Sequence, residues 1–184
     1  MKVMSIPRVP DGKPSDRISI PGWLARILSF FAWFVVIPLA HCGIPWAMSL
    51  LTNRLGWTDG HPGIWNLLGL IPVVIASVVL IWTFTTGFAQ TPERVRLGLI
   101  PPFLLMRGPY AFTRNPMYAG ELGLWLSWSI FYGSVIVLIG FVVLCVVINF
   151  VALPREERTL EAQFGDGYLQ YRRTVPRWFG KTRH

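Results

Sequence analysis

Two short stretches of this chain hold the side chains best suited to chemistry. The first is RNPMYAGE, Arg114 to Glu121; the second is REERTLEAQFGDGYLQYRRTVPRW, Arg155 to Trp178. Arg114, Tyr118 and Glu121 recur at helical spacing, so they share one face at a helix entrance. Pro116 suits a first turn, and Asn115 is expected to cap it. A capped helix start with an interfacial Tyr and a snorkelling Arg would account for part of this pattern. Glu121 argues for more, because a carboxylate just inside an apolar helix usually faces a protein interior or a polar cavity. Glu156 and Glu157, flanked by Arg155 and Arg158, taken alone mark the charged boundary of a membrane helix. Neighbouring residues on a helix point about 100° apart, so at most one of the two is expected to face RNPMY.

The elements that position these residues are apolar. Three stretches exceed the roughly 20 residues a helix needs to cross a bilayer: Trp23 to Leu51, Ile64 to Ala89 and Met117 to Leu153. The last is too long for one crossing, and Tyr132, Gly133 and Ser134 supply a turn that splits it into Met117 to Phe131 and Val135 to Leu153. Pro38, Gly43 and Pro45 are expected to kink or tilt the first helix without dividing it. The fold class is therefore an all-α membrane protein of about four transmembrane helices plus a C-terminal amphipathic cytoplasmic helix. A hairpin of the third and fourth helices brings RNPMYAGE and the Glu156–Glu157 pair to the same face of the membrane. Two charged, aromatic-rich segments meeting there suggest a reaction site more than an anchor.

Composition supports this reading and narrows the function classes. The chain has 184 residues, 53% of them hydrophobic, and a net charge of +8, with a mean hydropathy of +0.48. That length fits a single domain, residues 1–184. Every Lys and Arg except Arg54 falls on one side of the four-helix arrangement, which places both termini in the cytoplasm by the positive-inside rule. Topology and anionic headgroups explain the positive charge, and no nucleic acid is expected. Trp23, Trp46, Trp57, Trp65, Trp82 and Trp178 sit near helix ends or flanks, where indole rings favour the interface. The expected location is an integral position in a bacterial-type inner membrane, among membrane lipids.

Outside the helices the chain is uneven. Residues 1–21 carry Pro7, Pro10, Gly12, Pro14 and Pro21 and read as a mobile arm. The connection from Gln90 to Pro116 mixes basic, Pro, Gly and apolar residues, a composition that packs against something. Beyond Pro154, Leu160, Phe164, Tyr168 and Tyr171 mark an amphipathic helix along the membrane surface, stopped by Pro176. Gly165-Asp166-Gly167 reads as a local break. Cys42 and Cys145 belong to no CxxC or Cys/His cluster, so neither a disulfide nor a metal is expected. HExxH, GxSxG, Walker A and GxGxxG after a strand are all absent. His41, in an apolar helix, and His61, in the outer loop, have no partner at ligand or triad spacing and default to core or surface histidines. The helices show no inverted repeat and few polar groups along a pathway, against a transporter.

GPYAFTRNPMYAG followed, after one hydrophobic hairpin, by EERTLEAQFGDGYLQYRRTVPR resembles the isoprenylcysteine carboxyl methyltransferase and phospholipid methyltransferase family of membrane methyltransferases. The resemblance covers residues 87–178; residues 1–86 match only as generic membrane helices. It implies S-adenosylmethionine as methyl donor, held by a membrane fold without a Rossmann domain. By resemblance, Gly108, Tyr110, Asn115 and Tyr118 belong to the cofactor pocket, and Glu156 or Glu157 accepts hydrogen bonds from cofactor amino or hydroxyl groups. A carboxylate suits an ammonium or ribose hydroxyl, and a Tyr ring can face a sulfonium. The cofactor would enter from the cytoplasm and a lipophilic or lipid-modified substrate from the bilayer.

Two positions depart from the carboxyl-methylating branch. Asn115 stands where that branch has His, and Thr174 where it has an Arg before Val-Pro that resembles a carboxylate clamp. Arg114, Arg172 or Arg173 would have to serve instead, while an amine nucleophile would need a base, for which Glu121 is the candidate. The expected activity is methyl transfer from S-adenosylmethionine to a lipophilic acceptor, most like the isoprenylcysteine branch, with Arg114, Glu121 and Arg173 as catalytic candidates. The alternatives are a lipid amine N-methyltransferase and a non-catalytic membrane scaffold of the same fold.

Overall fold

Helix α1 runs from Gly22 to Ser49, α2 from Ile64 to Ala89 and α4 from Val135 to Phe164, each long and apolar enough to cross a membrane. Helix α3, Pro116–Tyr132, is 17 residues long, about 26 Å at 1.5 Å per residue against a hydrocarbon layer of about 30 Å. The four pack up and down as an all-α membrane fold, with a shorter α5, Asp166–Thr174, after α4. This computed structural model describes residues 19–91, 93–96 and 104–179. Most of the arm expected over 1–21, Pro92, the Pro-rich approach to Gly108 and the last residues of the tail lie outside the described residues.

Prolines shape the two longest helices without ending them. Pro38, Pro45 and Pro154 each follow a five-residue turn widened to the π pattern: Ala32–Val36, Leu39–Gly43 and Ile148–Ala152. In each case the residue just before the proline donates five residues back: Ile37 to Ala32, Ile44 to Leu39 and Leu153 to Ile148. The widened turn shifts the hydrogen-bond register next to the missing N–H and carries the helix past the ring. For α1 this gives the single helix expected. For α4 it corrects the expectation of an end at Leu153, since the helix continues through Arg155, Glu156 and Glu157 to Phe164.

Gly165, at φ +51, breaks the chain there as the sequence suggested. The amphipathic C-terminal segment is thus in two pieces, the first continuous with α4. Its apolar face has a protein partner: Phe164, Tyr168, Tyr171 and Val175 are buried with Leu104, and Met106 and Leu160 pack against them.

Small residues let α3 sit deep in the bundle. A Cβ on Gly120 would lie 2.5 Å from Leu80 Cγ, and one on Gly69 would lie 2.7 Å from the backbone of Ser127 and Phe131, so α2 and α3 approach at backbone distance. At the far end the chain turns through Gly133, at φ +55, and Leu55 N–H donates to its carbonyl at 3.0 Å. The buried Asn66 amide donates to the carbonyls of Leu55 and Ile130. Arg54 stacks over Trp57 at 4.7 Å and Tyr132 at 5.1 Å and donates to Ser49 Oγ. At the opposite end, a short ribbon pairs β1, Ser19–Pro21, with β2, Arg94–Arg96, and Arg26 donates to the Thr91 carbonyl.

Candidate functional site

The end of the bundle where α3 begins carries a closed network of polar side chains. Gly108–Ala111 forms a 3-10 turn that leads into α3. Gly108 has φ +64, and a Cβ there would lie 2.5 Å from Thr86 Oγ1, so the turn sits against α2 only without a side chain. The Tyr171 hydroxyl donates to the Tyr110 carbonyl at 2.7 Å and ties α5 to this turn. Burial and the nearby Glu156 carboxylate push the Tyr110 phenol up to about 12. Burial also raises Tyr168 and Tyr171, so all three stay protonated at neutral pH.

Arg114 and Glu157 meet at the centre. Arg114 Nη1 donates to Glu157 Oε1 at 3.0 Å and to the Tyr168 hydroxyl at 3.1 Å. Arg177 closes on the same carboxylate from the other side, Nε to Oε1 at 3.0 Å and Nη2 to Oε2 at 2.6 Å. These bonds hold the Arg177 guanidinium above its ordinary pKa. The backbone of the Val175–Trp178 strap is fastened as well. Thr113 Oγ1 donates to the Arg177 carbonyl at 3.0 Å, Asn115 Nδ2 to the same carbonyl at 2.8 Å, and Arg114 N–H to the Pro176 carbonyl at 3.0 Å. Trp178 Nε1 donates to Asn149 Oδ1 at 3.0 Å, fixing the strap to α4.

Glu156 occupies a different edge. It is exposed, and its Oε2 accepts from the Tyr118 hydroxyl at 3.2 Å. Both neighbouring carboxylates therefore touch the RNPMY segment, where one at most was expected. The reason is that Arg114 precedes α3 while Tyr118 lies inside its first turn, so the segment wraps the end of α4 and presents a partner to each.

One turn deeper, Glu121 is buried on α3. Its Oε1 lies 3.7 Å from His41 Nε2, and His41 Nδ1 accepts from Trp125 Nε1 at 3.0 Å. His41 stands in the widened turn Leu39–Gly43 of α1, which packs on α3.

Of the residues singled out in the sequence, Arg114, Asn115, Tyr118, Glu156, Glu157, Tyr110 and Gly108 come together at this end. Glu121 lies deeper on the same helix. Arg173 is exposed on α5 and joins none of these hydrogen bonds, and Arg172 pairs with Glu161 at 3.0 Å. Asn115 precedes α3 as expected, but its side chain makes no cap hydrogen bond; the strap carbonyl takes its amide instead.

Sequence reading missed Arg177, Asn149 and His41. Arg177 carried a usable signal, an Arg directly after Val-Pro in a segment already singled out. Asn149 and His41 carried only polarity within an apolar helix, because their partners are on other elements.

Residues 64–167 match the phospholipid methyltransferase family. An uncharacterized protein of Haemophilus influenzae is 37% identical over 62 residues, covering 34% of this chain and 98% of that protein. No solved structure matches.

Proposed function

Since the chain belongs to the phospholipid methyltransferase family, we propose that it transfers a methyl group from S-adenosylmethionine to a lipophilic acceptor drawn from the bilayer. The observation that carries this reading is the meeting of Arg114, Tyr118, Glu156 and Glu157 at one end of a membrane bundle. The residues fit such a donor. Arg114 Nε is buried without a partner among the described residues and suits a carboxylate. Glu156 uses only Oε2 among the described residues, leaving an oxygen for an ammonium or a ribose hydroxyl. The Tyr118 ring beside it suits a cation.

When bound, the cofactor supplies an electrophilic methyl group; the protein supplies position. Glu157, held at both oxygens, is the strut that fixes the strap and the Arg114 side chain. Tyr118 and Glu156 orient the donor, and the bundle below excludes water from the reacting atoms. In-line displacement needs alignment more than covalent help, and alignment is what a pinned network provides.

A second reading concerns the acceptor. Thr174 spends its hydroxyl on the Tyr171 carbonyl at 3.1 Å, and the position offers no clamp for a substrate carboxylate. Glu121, a buried carboxylate within the bundle, favours a cationic lipid amine over a prenylcysteine carboxylate. Both termini are proposed to be cytoplasmic, with the site at the inner face.

The test is incubation of purified protein with tritiated-methyl S-adenosylmethionine and phospholipid micelles, followed by organic extraction. Label in the lipid phase, absent with Tyr118→Ala, supports the proposal. A folded protein that leaves the lipid phase unlabelled supports a membrane scaffold instead.

A further inference from the structure

His41 contributes to the bundle interior from outside the segment that matches the family, which begins at residue 64. Its surroundings are specific. Trp125 Nε1 can only donate, so its 3.0 Å bond to His41 Nδ1 requires a lone pair there. A neutral His41 therefore carries its proton on Nε2, the nitrogen 3.7 Å from Glu121 Oε1. Both side chains are largely shielded, at 14% and 12% exposure. The widened turn that follows Pro38 contains His41, and such turns re-aim side chains and often occur at functional sites. Glu121 in turn lies three residues beyond Tyr118 on α3, so it shares a face with the residue that meets Glu156.

Taking the methyltransferase reading above as given, we propose that His41, locked by Trp125, is a positioning residue for Glu121, and that Glu121 is the proton acceptor for the nucleophile. In this step an ammonium N–H bond breaks, an O–H bond forms on Glu121, and the nitrogen keeps the electron pair with which it accepts the methyl group. The His41 Nε2–H faces the ionised carboxylate and orients it toward the acceptor. Helix α1, unmatched by the family, thereby takes part in the reaction.

Two measurements test this. The first needs no turnover: nitrogen-15 histidine NMR of the detergent-solubilised protein, with His61→Gln and His184→Gln to isolate the His41 signals. The proposal expects an Nε2–H ring in the parent and loss of that fixed tautomer in Trp125→Phe. An Nδ1–H ring in the parent overturns it.

The second compares methyl transfer to phosphatidylethanolamine and to an N-acetylated prenylcysteine in mixed micelles. Glu121→Gln and His41→Leu are expected to lower transfer to the amine about 100-fold, with affinity for S-adenosylhomocysteine within about twofold of the parent. His41→Gln, which keeps a donor and an acceptor, should recover a part that His41→Leu does not. Unchanged transfer in His41→Leu, parallel loss of S-adenosylhomocysteine affinity, or transfer to the carboxylate alone or to neither probe overturns the proposal. If the parent itself binds no S-adenosylhomocysteine, the methyltransferase reading has failed; if it binds and the variants transfer normally, only the role of His41 and Glu121 has.

Discussion

Arg177 grips Glu157 with a two-point fork, Nε to Oε1 at 3.0 Å and Nη2 to Oε2 at 2.6 Å. The contact joins a strap beyond the last helix to a carboxylate inside α4. With Arg114 on the other side of Oε1, Glu157 becomes the common anchor of three chain segments. It is mostly shielded, at 13% exposure, while Arg177 is 39% exposed.

Glu157→Ala should therefore leave Arg114 unpaired near the interior and free the strap. A fully buried pair would lose about 3–5 kcal/mol; the exposure of Arg177 reduces the expected loss to about 2 kcal/mol. Thermal unfolding in detergent measures it, and amide exchange at Trp178 should accelerate. Unchanged stability and exchange would show that the fork holds nothing in place.

Tyr118→Phe removes the hydroxyl bonded to Glu156 and keeps the ring. Donor affinity should fall by up to about tenfold, the value of one hydrogen bond to a charged group, and Tyr118→Ala should lose more. Calorimetric titration with S-adenosylhomocysteine separates the two. Equal loss in both variants would assign the contribution to the hydroxyl, with none to the ring.

The close approach of α2 and α3 predicts a contrast between glycines. Gly120→Val places branched carbons against Leu80, already 2.5 Å from an added Cβ, whereas a Cβ on Gly43 meets nothing among the described residues within 4 Å. The first should abolish monodisperse protein by size-exclusion chromatography. Gly43→Ala should leave the elution profile and the melting temperature near those of the parent.

Arg54 lies at the opposite end, on Trp57 and Tyr132. Arg54→Leu should cost about 1–2 kcal/mol from the lost stacking and hydrogen bond and leave S-adenosylhomocysteine affinity unchanged. A matching loss of affinity would mean that the two ends of the bundle are coupled.

The helices were legible because apolar length and the turn at Tyr132 to Ser134 are written locally. So was the apolar face of Leu160, Phe164, Tyr168 and Tyr171, although spacing alone did not say that Leu104 and Met106 cover it. Pro154 misled, because a widened turn two to six residues upstream is not visible in residue preferences. The meeting of RNPMYAGE with the end of α4 followed from the hairpin. Its closure by Arg177 and Trp178, and the pairing of His41 with Trp125, depend on contacts between residues 20 to 84 positions apart. Nothing in local sequence announces contacts of that range.

The central claim is that the Arg114–Glu157 end of the bundle holds S-adenosylmethionine. Isothermal calorimetry of the full chain in detergent with S-adenosylhomocysteine tests it most directly, with Tyr118→Ala as the comparison. The account predicts one site of micromolar Kd in the parent, lost in a variant that remains folded by circular dichroism. Absence of binding to folded parent protein, or equal binding by the variant, would contradict it.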